Sequence, residues 1–239
     1  MITIHQFSPS LGMIDLSPFV VKLATWCRMA GVDFRFAPGD PLKAPKGKIP
    51  YIVDEDGSVL GDSAMIIRHL SKKHGDLDAG LSPRDRALSR AIQSMVEEHM
   101  YFTTLFLRWQ DERGWTVMAP ALKQLLSGPG GPPAFLAGPV SGLVRAKVKK
   151  SLLGQGTGRH TVAEVEALGI ELVESLNELI GAGPWVLGDA PRTIDATAWA
   201  FLYSLHDAPF DNTVRARLKS LPDLVAYVER GRARYWPST

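Results

Sequence analysis

One segment of the chain pulls against itself. In "KGKIPYIV" (46–53), Ile49 to Val53 is apolar and strand-forming. Pro50 nevertheless stands at its mouth, where it has no backbone hydrogen bond to donate. One reading is an ordinary trans loop proline. The other is an edge that turns the backbone of Ile49 outward to pair with an extended peptide. Other chemistry-bearing types are sparse. Six histidines (5, 69, 74, 99, 160, 206) show no metal-ligand spacing. "GQGTGRH" (154–160) lacks both the lysine–hydroxyl pair of a P-loop and the dinucleotide-binding spacing, and reads as a structural turn. Arg145, Lys147, Lys149 and Lys150 form a basic run, read as a solvated face, with a membrane surface or an anionic ligand as the alternative. Cys27 shares a helical face with Leu23 and Ala30 and reads as a core residue.

The elements that must position these residues fall into two unlike halves. At 239 residues the chain has room for one large domain or two smaller ones. Its 45% hydrophobic and 22% charged content is ordinary for a soluble globular protein, and a net charge of +2 gives no case for nucleic acid. A single cysteine excludes an intrachain disulfide and fits a reducing compartment. "MITIHQFSPS" lacks the basic start and apolar run of a signal peptide. "ATAWAFLYSL" (196–205) is far shorter than the roughly 20 apolar residues that cross a bilayer. The reading is a soluble cytoplasmic protein. "TIHQF" (3–7) is a strand, and "SPFVVKLATWCRMAG" (17–31) a helix with Ser17 as N-cap, Pro18 in the first position and Gly31 at the end. "VDFRFAP" (32–38) is a second strand, "YIVDEDGSVL" (51–60) a hairpin turning at Asp56-Gly57, and "DSAMIIRHLSKKHG" (62–75) an amphipathic helix. A polar linker (76–83) leads to helices only: one long helix over 84–113, another over 115–126, a Gly/Pro loop over 127–139, and a short basic helix over 140–153. Thr161 and Glu164 form a capping box for a helix to about residue 180, and helices over 194–205 and 222–235 complete the chain.

Strand, helix, strand, hairpin, helix is the order of the thioredoxin fold, in which the proline opening the third strand is cis. The fold class is an α/β thioredoxin-like N-terminal domain (1–76) followed by an all-α C-terminal domain (77–239). With "KGKIPYIVDEDGSVLGDSAMIIRHL" in the first half, the chain resembles the glutathione transferase superfamily. "LSPFVVKLATWCRMAGVDF", "GDPLKAPKGKIPYI", "GQGTGRH" and "APFDNTVRARLKSLPDLVAYVERGRARYWP" resemble its metaxin-like, failed-axon-connections branch. Known metaxins are tied to mitochondrial membranes, and that property is not carried over.

The resemblance implies a glutathione site without metal. Family members hold the cysteinyl backbone of glutathione on the residue before the cis proline, here Ile49 ahead of Pro50. An acid–serine pair, usually Glu-Ser and here Asp62-Ser63, grips the γ-glutamyl group, with helix N–H groups on its carboxylate and Asp62 on its ammonium. Without the family, the same pair is a helix cap. Lys48 either meets a glutathione carbonyl or carboxylate or is a solvated loop lysine. "SPFVVK" resembles the "CPFC" start of a glutaredoxin-type helix, with Ser17 and Val20 for the cysteines, which excludes thiol–disulfide exchange there. In the family this position faces the glutathione sulfur. Ser17 is therefore the candidate catalytic residue of a serine-type transferase, donating a hydrogen bond to the thiolate, or it is a helix cap alone. Tyrosine-type members use the end of the first strand, where this chain has Phe7. Tyr101, Phe102, Phe106 and Trp109 read as core, with one or two lining a pocket for an apolar electrophile. Asp195 resembles the superfamily's capping aspartate, but Arg192 replaces the usual Ser/Thr partner. Two functions stay open: a transferase that activates glutathione for attack on an apolar electrophile, or a non-catalytic glutathione-binding or interaction protein on the same scaffold. A two-fold homodimer is implied in either case, its geometry open to change by the insert-like segment 127–160.

Overall fold

Ile2 and Ile4 alternate with polar neighbours, and this period of two puts them on the buried face of β1 (Ile2–Gln6). The structure is a computed structural model that describes residues 1–127, 133–181 and 183–237. β1 is central, parallel to β2 (Phe34–Pro38) and antiparallel to β3 (Tyr51–Val53), with β4 (Val59–Gly61) outermost in the order β2-β1-β3-β4. α1 (Pro18–Met29) and α2 (Ser63–His74) accompany the sheet. Leu23, Trp26, Cys27, Ile66 and Leu70 from these helices close over Ile2, Ile4 and Ile52. α1 ends as expected at Gly31, whose φ of 66° lets the chain reverse so that the N–H of Val32 reaches the Cys27 carbonyl at 2.8 Å.

The second half is α3 (Pro83–Ser94), α4 (Tyr101–Trp109), α5 (Glu112–Leu126), α6 (Ala137–Gln155), α7 (Val162–Ile180), α8 (Thr193–Asp207), α9 (Thr213–Lys219) and α10 (Pro222–Tyr235). The single helix expected over 84–113 is instead three pieces. A π turn, Met95–Met100, joins α3 to α4, and the helix breaks after Trp109. Asp111 restarts it by accepting the Arg113 N–H at 3.0 Å. Gly114 lets the new helix lie against the old one, since a Cβ there would fall 1.8 Å from the Leu107 carbonyl oxygen. Of the expected loop 127–139, residues 128–132 lie outside the described residues. Ala134–Leu136 form a 3-10 turn and α6 begins at Ala137, with Pro139 tolerated in a first turn whose N–H groups lack helical partners anyway. Arg145 departs from the solvated-face reading. It donates to the Trp109 and Gln110 carbonyls, pairs with Glu112 and lies 4.6 Å from the Trp115 ring, whereas Lys147, Lys149 and Lys150 are exposed.

α8 is the axle of the molecule. Every residue from Ile194 to Leu205 is buried, as a helix with no polar face requires. Ala196 belongs to the core of the sheet half, while Ala198 and Ala200 face the helical core. Asp195, also buried, accepts the N–H groups of Val186 (2.9 Å) and Arg192 (2.8 Å) and the Tyr227 hydroxyl (2.9 Å). The Arg192 side chain replaces the usual capping hydroxyl with a different job, donating to the carbonyls of Leu77 (2.8 Å) and Ala79 (3.0 Å). Asp78 completes this fastening of the connecting segment by accepting the Thr193 N–H at 2.9 Å. Among the described residues, no helix is long and apolar enough to cross a membrane.

Asp195→Ala leaves three donors, two of them buried, without their acceptor. It is expected to cost ~3 kcal/mol of stability in urea unfolding, with the denaturant slope unchanged.

Candidate active site

The loop from β1 into α1 is pinned residue by residue. The Ile14 N–H donates to the Tyr203 hydroxyl at 3.0 Å, and Met13 and Asp15 are buried. Ser17 occupies the N-cap position in extended backbone (φ −92°, ψ 115°), with Pro18 in the first turn. Its carbonyl accepts the first helical N–H groups from Val20 and Val21. Its side chain makes no capping bond, which departs from the simple cap reading. Asp15 Oδ1 instead accepts the Ser17 N–H at 2.7 Å. The half-buried hydroxyl therefore sits at the positive end of α1 with no protein partner among the described residues.

The Ile49-Pro50 bond is cis. Ile49 is buried in a small cluster with Val20, Ala44 and Tyr51, against which Phe7 packs. Val20 lies one turn beyond Ser17, so this cluster brings the start of α1 to the cis proline. Gly39 permits the closure, because a Cβ there would meet Ile49 Cδ1 at 2.7 Å. Neither the N–H nor the carbonyl of Ile49 has a backbone partner among the described residues. α2 opens at Asp62, whose φ of 80° is unusual for a residue with a side chain. Asp62 Oδ1 caps the helix by accepting the N–H groups of Ala64 (3.0 Å) and Met65 (3.1 Å), while Oδ2 lies 3.9 Å from Lys46. The Ser63 N–H, in the first helical position, has no protein partner among the described residues. Lys48 is exposed with no partner among the described residues, so the lysine brought to Asp62 is Lys46.

Three charged residues that sequence reasoning passed over stand behind these groups. Lys22 is 1% exposed, and its Nζ donates to Glu97 Oε1 at 2.6 Å and to Ser63 Oγ at 3.4 Å. It thereby ties α1 to α2 and to the π turn. Arg108 donates to the carbonyls of Leu16 (3.2 Å) and Ser204 (2.8 Å) and lies 5.0 Å from the Phe210 ring. Burial pulls its guanidinium down to about 10, still a cation at neutral pH. Asp15 is the third. The one signal for each was a charge set in an otherwise apolar run: "GMIDLSPF", "PFVVKLA" and "FLRW". On the helical side, Tyr101 packs edge-on to Phe19 (4.9 Å) and next to Phe102 (5.1 Å), giving an aromatic wall two residues from Ser17. Phe106 is core. Trp109 stacks toward Trp115 at 5.8 Å. Cys27 is buried, its thiol pushed up to about 12, which makes it inert at neutral pH. Among the described residues, no group of His, Cys, Asp or Glu is arranged to hold a metal ion.

A thioredoxin-like half with a cis proline beside the start of α1, joined to an all-helical half, defines the glutathione transferase fold. The chain matches the glutathione S-transferase N-terminal domain over residues 18–114 and the glutathione S-transferase C-terminal domain over residues 169–231. It is 34% identical to the isoprene-epoxide–glutathione S-transferase of Rhodococcus sp. (strain AD45) over 98% of this chain and 99% of that protein. With Failed axon connections of Drosophila melanogaster the identity is 30%, over 99% of this chain and 58% of the relative. Metaxin-1 of Sus scrofa is 27% identical over 95% of this chain and 72% of its own length. A glutathione S-transferase from Sinorhizobium meliloti 1021 shares the fold with a TM-score of 0.62 at 16% identity, covering 99% of this chain and 91% of that one. The chain belongs to the glutathione S-transferase family, in its metaxin-like branch.

Lys22→Met strands Glu97 at the domain boundary and is expected to cost about 3 kcal/mol in urea unfolding. Adding Glu97→Gln to the same chain should recover most of that loss, because the uncompensated charge is then gone.

Proposed function

We propose that the protein is a glutathione transferase that binds glutathione across Ile49, Pro50, Asp62 and Ser63 and delivers its thiolate, stabilised by Ser17, to a small apolar electrophile. The observation that carries this reading is the set of unspent groups around one corner of the sheet. These are the Ser17 hydroxyl at the start of α1, the Ile49 N–H and carbonyl, and the Ser63 N–H at the start of α2. An extended peptide with a carboxylate at one end and a thiol at its centre fits that set: strand-like pairing at Ile49, and an anion at the start of α2. Asp62 Oδ2 and Lys46 offer charges to the γ-glutamyl group, and exposed Lys48 is within the same loop for a second carboxylate.

The relative named for isoprene epoxide supports a small epoxide as the electrophile. Attack of the thiolate on an epoxide carbon forms the C–S bond and breaks the C–O bond, and the resulting alkoxide takes a proton from solvent. Ser17 acts by favouring the thiolate over the thiol before attack, and the wall of Phe19, Tyr101 and Phe102 shelters the apolar part of the epoxide. A second reading, glutathione binding without turnover, is favoured by the likeness to relatives not named as transferases, Failed axon connections and metaxin-1. A two-fold dimer is part of the proposal, supported by the exposed apolar side chains of Val59 on β4 and Met65 on α2. A reducing, cytoplasmic setting is supported by the lone thiol of Cys27.

Ser17→Ala should leave glutathione affinity by calorimetry nearly intact, raise the pKa of the bound thiol toward its free value, and lower turnover of a small epoxide ten- to a hundredfold. That range corresponds to one hydrogen bond to a charged group, roughly 1.5–3 kcal/mol. Asp62→Ala should weaken binding first. Unchanged turnover and thiol titration in Ser17→Ala would reduce Ser17 to a structural residue, and wild-type binding without turnover would establish the second reading. Sedimentation at micromolar concentration is expected to give twice the 26.1 kDa chain mass.

A further inference from the structure

The peptide unit joining Leu16 to Ser17 is gripped at both ends. Its carbonyl accepts from Arg108 at 3.2 Å, and its N–H donates to Asp15 Oδ1 at 2.7 Å. We propose that Asp15 is a titratable positioning residue for Ser17. Neutral, it holds the Ser17 N–H and leaves the serine hydroxyl to the glutathione sulfur; ionised, it sets a negative charge beside the thiolate and shuts the site down. The inference rests on the transferase reading above and adds to it a residue and a pH limit.

The geometry has three parts. Asp15 is wholly buried, and its second oxygen, Oδ2, has no hydrogen-bond partner among the described residues. A buried carboxylate oxygen without a donor is costly, while a carboxyl that keeps its proton avoids most of that cost. Next, the hydroxyl of Ser17 makes no capping bond, while the Asp15 carboxyl holds the Ser17 backbone N–H. Finally, among the described residues no cation pairs with Asp15. The guanidinium of Arg108 is spent on the carbonyls of Leu16 and Ser204 and on the Phe210 ring, with Tyr101 beside it. From α8 the Tyr203 hydroxyl is turned to Ile14, and the Asp207–Arg232 pair lies behind it. From the sheet side the Phe7 N–H favours the ionised form, less than the Ser17 N–H does. The side-chain oxygen of Gln6, which precedes Phe7, is likewise buried without a donor among the described residues.

Burial outweighs the N–H groups of Ser17 and Phe7 and pushes the Asp15 carboxyl up to about 8. The sign follows. Below about pH 8 the folded protein keeps this proton, and above it the carboxyl ionises. Glutathione thiols need the opposite, so activity is confined to the interval in which the thiol has ionised and Asp15 has not.

The test is the pH dependence of kcat with glutathione and a small terminal epoxide for wild type, Asp15→Asn and Asp15→Ala. It is read alongside calorimetric glutathione affinity and the ultraviolet absorbance of the bound thiolate. Wild-type kcat should fall about tenfold per pH unit above about 8. Asp15→Asn keeps an acceptor for Ser17 and loses the ionisable proton, so this fall should vanish. Asp15→Ala also loses the acceptor and should lower kcat about five- to tenfold below that of Asp15→Asn at every pH, with glutathione affinity within about threefold of wild type. A high-pH fall that persists in Asp15→Asn overturns the inference while leaving the transferase reading intact. Wild type that binds no glutathione overturns both. Should the asparagine variant fail to fold, a carbon-13 titration of the Asp15 carboxyl in wild type decides the matter: an ordinary value near 4 refutes the proposal.

Discussion

Burial of α8 on all sides is the constraint from which the rest of the molecule follows. A helix with no polar face is stable only inside a jacket of other elements, and here α1 from the sheet half is part of that jacket. Alanines at 196, 198 and 200 keep α8 slender. The same contact explains why the two halves cannot be described as independent beads: Ala196 completes the core of the sheet half, and Val21 of α1 belongs to the core of the helical half. Helix α1 is thus held from two directions. Its first turn, where Ser17 stands, has the rigidity of an interior rather than of a surface loop.

Around that first turn the molecule buries three charges and answers each differently. Lys22 is given a carboxylate, Arg108 is given carbonyl oxygens and an aromatic face, and Asp15 is left to keep its proton. Ion pair, dipole solvation and neutralisation are the three ways a low-dielectric interior tolerates an ionisable group. Two of the three, Asp15 and Arg108, grip the Leu16–Ser17 peptide unit, and Arg108 comes from the helical half. The electrostatics at Ser17 are therefore set by residues from both halves of the molecule.

What could be read along the chain was what is written locally. The unlike halves, the break at Pro50, the helix starting at Asp62 and the buried aspartate at 195 all leave a mark within a few neighbouring residues. The partners of Lys22 and Arg108 lie 75 and 92 residues away, so no periodicity or motif connects them. The π turn was hidden for another reason: Met95–Met100 keeps apolar residues coming at nearly helical intervals, and the extra residue shifts the face without breaking the pattern. Arg192 looked like a defect in a capping box because its acceptors, the carbonyls of Leu77 and Ala79, carry no side-chain signature. Which loop lysine approaches Asp62 depends on the turns over residues 39–47, and these place Lys46 there rather than Lys48.

The inert thiol of Cys27 has a use of its own. It is the one sulfhydryl in the chain, it sits in the interior between α1 and the sheet, and burial keeps it protonated. A thiol-reactive dye added to the folded protein has nothing to modify until α1 lifts away from β1. The rate at which a single label enters is then a clock for opening of the sheet half, started by no mutation and read from a mass spectrum. Because α1 is also a wall of the α8 jacket, that clock times the moment at which the interior of the whole molecule is first breached.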